Sequence, residues 1–166
     1  MRILVNGAPI ERTPHYRKKV FIDTMILCYA YDPLSLAHEQ AKAVLTAALL
    51  GYVEGYVSYQ NLAEFYSVMT SSRVKRPLAP HEAYRIIEAL ARSRRLAKLA
   101  PSNYVDALRH AARLGLRGGE VFDAVLAYTC RGIVDYIWME NVDDFQHYAS
   151  FLEAENPLEW EWEILK

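Results

Sequence analysis

Only two cysteines, Cys28 and Cys130, occur in the 166 residues. Two thiols cannot build a disulfide scaffold, and neither belongs to a CxxC pair, so a zinc ribbon and a dithiol redox motif are excluded. Each lies in an apolar run, which predicts a small buried thiol and suits a reducing cytoplasm. Long apolar runs are missing too. The most apolar stretch, "AVLTAALLGYV" at 43–53, is too short to span a bilayer, and the N-terminus lacks the apolar core of a signal peptide. A surplus of one charge is also absent. Nineteen basic and twenty acidic residues leave a net charge of −1, so no global basic field advertises nucleic acid. A polyanion must be held by a local patch or through metal ions.

What is present is a globular composition, 52% hydrophobic and 23% charged, in a chain long enough for one domain with a substantial core. Residues 2–10, "RILVNGAPI", read as a small hairpin, with Asn6-Gly7 suited to a type I′ turn. Residues 1–18 are read as an N-terminal extension and 19–166 as the main domain. "KKVFID" reads as a short buried strand ending near Asp23. A helix is expected over 36–50, then a strand in "YVEGYVS". Ser58 opens a helix with Leu62, Phe65, Tyr66 and Met69 on its apolar stripe and Glu64 roughly opposite. Pro80 starts a further helix, with Ala83, Ile86, Ile87, Leu90 and Ala91 inward. "APSNYVDALRHAARLG" is a helix with Ser102 or Asn103 as cap and Gly115 as stop. In "EVFDAVLAYTCRG", Phe122, Val125, Leu126 and Thr129 align and Asp123 sits just off their face. "IVDYIW" is a strand, and "MENVDDF" is a loop leading into a short helix. "LEWEWEIL" alternates strictly, as a half-solvated edge strand does.

Strands alternating with helices argue for an α/β fold, a three-layer α/β/α sandwich around a mainly parallel sheet. In such sheets sites gather at the carboxyl ends of the strands. That is where Asp23 falls, held between Val20-Phe21-Ile22 and Met25-Ile26-Leu27, where an unpaired charge is heavily penalised. Glu64, Asp123 and the "MENVDDF" acids can converge on the same rim. Converging carboxylates repel unless a cation lies among them. A hard divalent ion such as Mg²⁺ or Mn²⁺ takes oxygen ligands and pairs with phosphate, and two-metal sites of this kind hydrolyse phosphodiesters. Singly, each acid has a plainer reading: Glu64 as a solvated helix acid, and Asp123, Asp143 and Asp144 as charges favoured near helix N-termini.

Four stretches in register resemble the PIN-domain family, and within it the toxin-type ribonucleases of toxin–antitoxin pairs: "VFIDTMIL", "SYQNLAEFYSVMT", "GEVFDAVLAYTCRG" and "IWMENVDDF". The resemblance runs from Val20 to about Phe151. It implies a divalent-metal-dependent endoribonuclease using Mg²⁺ or Mn²⁺, with Asp23, Glu64 and Asp123 as catalytic metal ligands. The family's fourth position falls on Asn141 and its hydroxyl position on Met139, a departure for which Asp144 offers a compensating charge. The resemblance also implies an RNA substrate, a homodimer, and a small antitoxin protein that inserts into the active-site groove.

Two basic clusters are candidate RNA contacts. "SSRVKRP" carries Arg73, Lys75 and Arg76, and "ARSRRLAKL" carries Arg92, Arg94, Arg95 and Lys98; both are also readable as solvated helix faces. Tyr56, Tyr59 and Tyr66 are candidates for base stacking, with core packing favoured for Tyr66. All five histidines are assigned surface roles. A haloacid-dehalogenase-like phosphatase needs an acid at Met25, and a receiver domain needs paired acids before its phospho-acceptor strand. The remaining alternative is a PIN-like RNA- or protein-binding module without catalysis.

Overall fold

The computed structural model describes residues 1–166. Its first elements are a hairpin, β1 (Arg2–Val5) and β2 (Ala8–Pro9). Asn6 and Gly7 both have positive φ, 49° and 78°, as a type I′ turn requires. The main sheet starts with β3 (Lys19–Ile22), followed by α1 (Thr24–Ala30), α2 (His38–Leu49), β4 (Glu54–Ser58) and α3 (Tyr59–Met69). Next come α4 (Pro80–Arg92), β5 (Leu96–Leu99), α5 (Tyr104–Leu114), α6 (Glu120–Cys130) and β6 (Tyr136–Trp138). A 3-10 turn at Val142–Tyr148 leads to β7 (Glu153–Glu155), and β8 (Trp162–Leu165) closes the chain.

Five strands form one parallel sheet in the order β5-β4-β3-β6-β7. Alternation along β3 sends Val20 and Ile22 to one face and Phe21 to the other, because successive strand residues point to opposite sides. Val20 and Ile22 pack under α1–α4, with Leu27, Val44 and Phe65. Phe21 packs with Ala111, Val125 and Tyr128 of α5 and α6. The result is the expected α/β/α sandwich. No helix is long and apolar enough to cross a membrane.

The first and last strands make a second sheet, β2-β1-β8, with β1 and β8 antiparallel from Arg2↔Leu165 to Val5↔Trp162. Its inner side, Ile3, Val5 and Ile10, packs on Ala47 of α2. The "LEWEWEIL" stretch is therefore an edge strand only over its last four residues, paired with β1 rather than with the main sheet. Two strands escaped the sequence reading. β5 lies inside the Arg-rich run, and β7 is a Glu-Ala-Glu triplet whose place is set by pairing with β6.

Local details depart from expectation at four places. Asn103 precedes α5 in a left-handed conformation (φ 57°) and makes no side-chain cap; its amide instead donates to the Tyr128 carbonyl. Tyr66 is 39% exposed, since the stripe of α3 narrows to Leu62, Phe65 and Met69. Phe122 is 58% exposed, because the inward face of α6 is carried by Ala124, Val125 and Tyr128. His15 is buried rather than superficial, stacked on Trp160 with its Nε2 2.7 Å from the Glu155 carboxylate.

Candidate active site

Asp23 is the first residue after β3 and the N-cap of α1. Its backbone N–H donates to the Trp138 carbonyl of β6 at 3.0 Å, which fixes it at the carboxyl end of the sheet. An unforeseen residue, Asn61, aligns α3 against the same point. Asn61 is 2% exposed, exchanges capping hydrogen bonds with Ser58, and donates from Nδ2 to the Ile22 carbonyl at 2.8 Å. A buried amide satisfied this way locks helix to strand. The next turn of α3 carries Glu64. Its carboxylate accepts from the Thr24 hydroxyl at 2.9 Å and from the Gln60 amide at 2.8 Å. Asp123 enters from the first turn of α6.

Asp23, Glu64 and Asp123 line one pocket of about 560 Å³, together with Thr24, Arg73 and Phe122. Burial pushes Asp23 up to about 6, and the charges of Glu64 and Glu140 add to the rise against the N–H groups of Thr24 and Met25. Burial also pushes Asp123 up to about 6, helped by Asp23, Asp144 and Glu64. Asp23 and Asp123 both resist ionising, chiefly through burial and further through the like charges beside them. The thiols take no part. Burial pushes Cys28 and Cys130 up to about 12, far from a thiolate nucleophile.

The fourth motif contributes differently from the expected pattern. Met139 is buried in the core, and Asn141 donates to the Asp144 carboxylate at 2.6 Å without lining the acid pocket. Asp144 borders an adjoining depression that it shares with Asp123 and Tyr148. Glu140, unassigned by sequence, bears on Asp23 electrostatically and accepts from the Tyr29 hydroxyl at 2.6 Å. Its signal was its place two residues after β6. Of the first basic cluster, Arg73 lines the pocket, Lys75 lines a neighbouring groove, and Arg76 lines neither. The second cluster does not surround the acids. Arg94 and Arg95 stand before β5, at the opposite end of the strands, and the Lys98 ammonium donates to the carbonyls of Ser93 and Leu96. Tyr56, Tyr59 and Tyr66 all lie outside the acid pocket.

No three His, Cys, Asp or Glu side chains stand close enough to form a ready-made metal cage. The donor chemistry nevertheless suits a hard divalent cation: three carboxylates with the hydroxyls of Thr24 and Ser67, no histidine or cysteine, and two acids whose ionisation a cation would favour.

No protein-family model matches this sequence, and no curated protein matches it. Solved structures do. A VapC20 toxin of Mycobacterium tuberculosis that cleaves the sarcin–ricin loop aligns with a TM-score of 0.62 at 16% identity, over 81% of this chain and 97% of its own. The chain has the PIN-domain fold. Two further PIN-fold structures align similarly. VapBC2 from Rickettsia felis, bound to a DNA fragment from its promoter, has a TM-score of 0.55 at 18% identity, over 83% of this chain and 98% of that one. FitAcB from Neisseria gonorrhoeae has 0.56 at 16%, over 84% and 99%. The PIN fold accounts for the parallel sheet and its helical layers.

Proposed function

We propose that this protein is a divalent-metal-dependent endoribonuclease and the toxin of a toxin–antitoxin pair. The observation that carries the reading is the meeting of Asp23, Glu64 and Asp123 in one open pocket, with two of the three held near neutrality's edge by burial and mutual charge. Asp23, Asp123 and Glu64 would hold Mg²⁺ or Mn²⁺, with Asp144 close enough to Asp123 to add charge. When bound, such an ion neutralises the phosphodiester and supplies Lewis acidity.

The chain's own groups do the rest. Thr24 and Gln60 hold both Glu64 oxygens, so this carboxylate is oriented before substrate arrives and loses little entropy on engagement. Arg73 at the pocket wall offers a planar guanidinium to a phosphate. The exposed Phe122 ring offers a stacking platform for a base beside the cut. Partners follow the same reading: a second copy of the chain, and an antitoxin segment. The groove of Met25, Tyr29, Leu34 and Leu36 opens beside the acid pocket, and an inhibitor there would cover both.

Cleavage of mixed RNAs with Mg²⁺ or Mn²⁺ against EDTA tests the proposal. Activity should appear only with metal, and Asp23→Asn should abolish it. If Asp23→Asn cleaves as fast as the parent at saturating Mn²⁺, the nuclease reading is wrong, and a binding module without catalysis replaces it.

A further inference from the structure

A second pocket, of about 570 Å³, lies at the other end of the sheet, lined by Arg17, Glu54, Tyr56, Arg94 and Arg95. Glu54 begins β4, and Arg94 and Arg95 immediately precede β5, whereas the acids follow the carboxyl ends of the strands. A strand of five residues separates the two regions by about 15 Å. We propose that this pocket binds clustered phosphate groups, carried either by a free polyphosphate or by a nucleic-acid backbone.

Four observations on this exposed basic pocket support the proposal. First, Arg17, Arg94 and Arg95 meet at one pocket and have no carboxylate within 4.0 Å. Three unpaired guanidiniums against the single carboxylate of Glu54 leave a local surplus that an oxyanion can neutralise bidentately. Second, Gly51 sits at φ +80°, and a Cβ there would lie 2.8 Å from Arg95 Nη1. The Arg95 fork is thus seated directly against bare backbone. Third, Arg17 is held at φ +58°, a left-handed conformation that is strained for a residue with a Cβ. The hydrogen bond from its N–H to the Tyr52 carbonyl, 2.8 Å, maintains it. Strain of this kind clusters where a side chain must be aimed. Fourth, the volume falls within the range of ligand pockets and exceeds what one phosphate fills. The half-buried Tyr56 ring adds a face on which a nucleobase can lie.

The site is independent of the nuclease proposal, and its test runs in EDTA, where the acid pocket repels phosphate. Tripolyphosphate is titrated calorimetrically into the parent, into Arg17→Gln/Arg95→Gln, and into Arg113→Gln/Arg117→Gln, which removes two charges elsewhere. The pocket variant should bind about tenfold more weakly or worse, since it loses two charge-assisted contacts, and the distant variant should stay within about twofold of the parent. Arg95→Gln alone, at an exposed side chain, keeps the test intact should the double variant fail to fold. A parent that does not bind at millimolar tripolyphosphate, or equal weakening in both double variants, overturns the proposal. Short single-stranded RNA then separates the sources. Displacement of tripolyphosphate assigns the site to a nucleic-acid backbone, and its absence assigns it to a free polyphosphate.

Discussion

Replacing Asp23 by Asn should stabilise the metal-free protein while ending metal binding. Asn keeps the shape and remains a good N-cap for α1, so the perturbation is almost purely one of charge. The Asp23 carboxyl rises from 3.8 to about 6 on folding. The folded protein therefore holds this proton more tightly than the unfolded chain does. Its favourable contribution is complete below about pH 3.8, and it is lost as pH rises through about 6. At 1.36 kcal/mol per pKa unit, the ionised carboxylate costs at most about 3 kcal/mol at pH 7. Asp23 is only half-buried, and solvent screening lowers this to about 1–2 kcal/mol. For a chain of this size, that is a gain of about 3–6 °C in Tm for the variant. Thermal melts in EDTA from pH 4 to 8 should show the two proteins together at pH 4 and diverging through pH 6. Added Mn²⁺ should then raise the parent's Tm by mass action and leave Asp23→Asn unmoved. A variant less stable than the parent at pH 8, or a difference independent of pH, would refute the assignment of a destabilising carboxylate at this position.

Thr24→Val removes the hydroxyl that holds Glu64; it should lower RNA cleavage about fivefold, near 1 kcal/mol, with Tm little changed, and unaltered kcat would deny Glu64 the orienting partner described. Asn61→Ala strips the Ile22 carbonyl of its partner and should cost about 2–3 kcal/mol by urea unfolding; a loss below 0.5 kcal/mol would mean that water replaces the amide. His15→Ala opens a cavity against Trp160 and removes the imidazole that packs beside the Glu155 carboxylate, so a loss of about 2–4 kcal/mol is expected in the same assay. Cys28 and Cys130 should react with a disulfide reagent only on unfolding, and rapid labelling of the native protein at pH 8 would contradict their burial.

The three acids of the pocket stood out in the sequence because each sits where a periodic pattern breaks: Asp23 interrupts an apolar strand, and Glu64 and Asp123 stand off apolar helix stripes. Asn61 and Glu140 were not, since an amide or an acid in a polar stretch has no meaning until a partner thirty or more residues away arrives beside it. Both short strands missed at the sheet's borders fail for a related reason. "LAKL" and "EAE" have no strand propensity of note; their conformation comes from hydrogen bonds offered by β4 and β6. The exposed Phe122 shows the converse error, an apolar residue on a helical stripe that serves a pocket instead of a core. His15 could not be placed either, because its neighbours Trp160 and Glu155 come from the far end of the chain.

The pairing of Arg2 with Leu165 also decides how the molecule yields to force. Both ends of the chain leave the same edge of the β1–β8 ribbon, so a pull through the termini loads its hydrogen bonds one after another, as a zipper is opened, instead of together in shear. The ribbon should peel at low tension, drawing Trp162 off Trp160 and Trp160 off the His15 ring before the five-stranded sheet bears any load. A single-molecule extension trace should accordingly show a small early step of the two terminal segments, followed by a separate and higher peak for the five-stranded core.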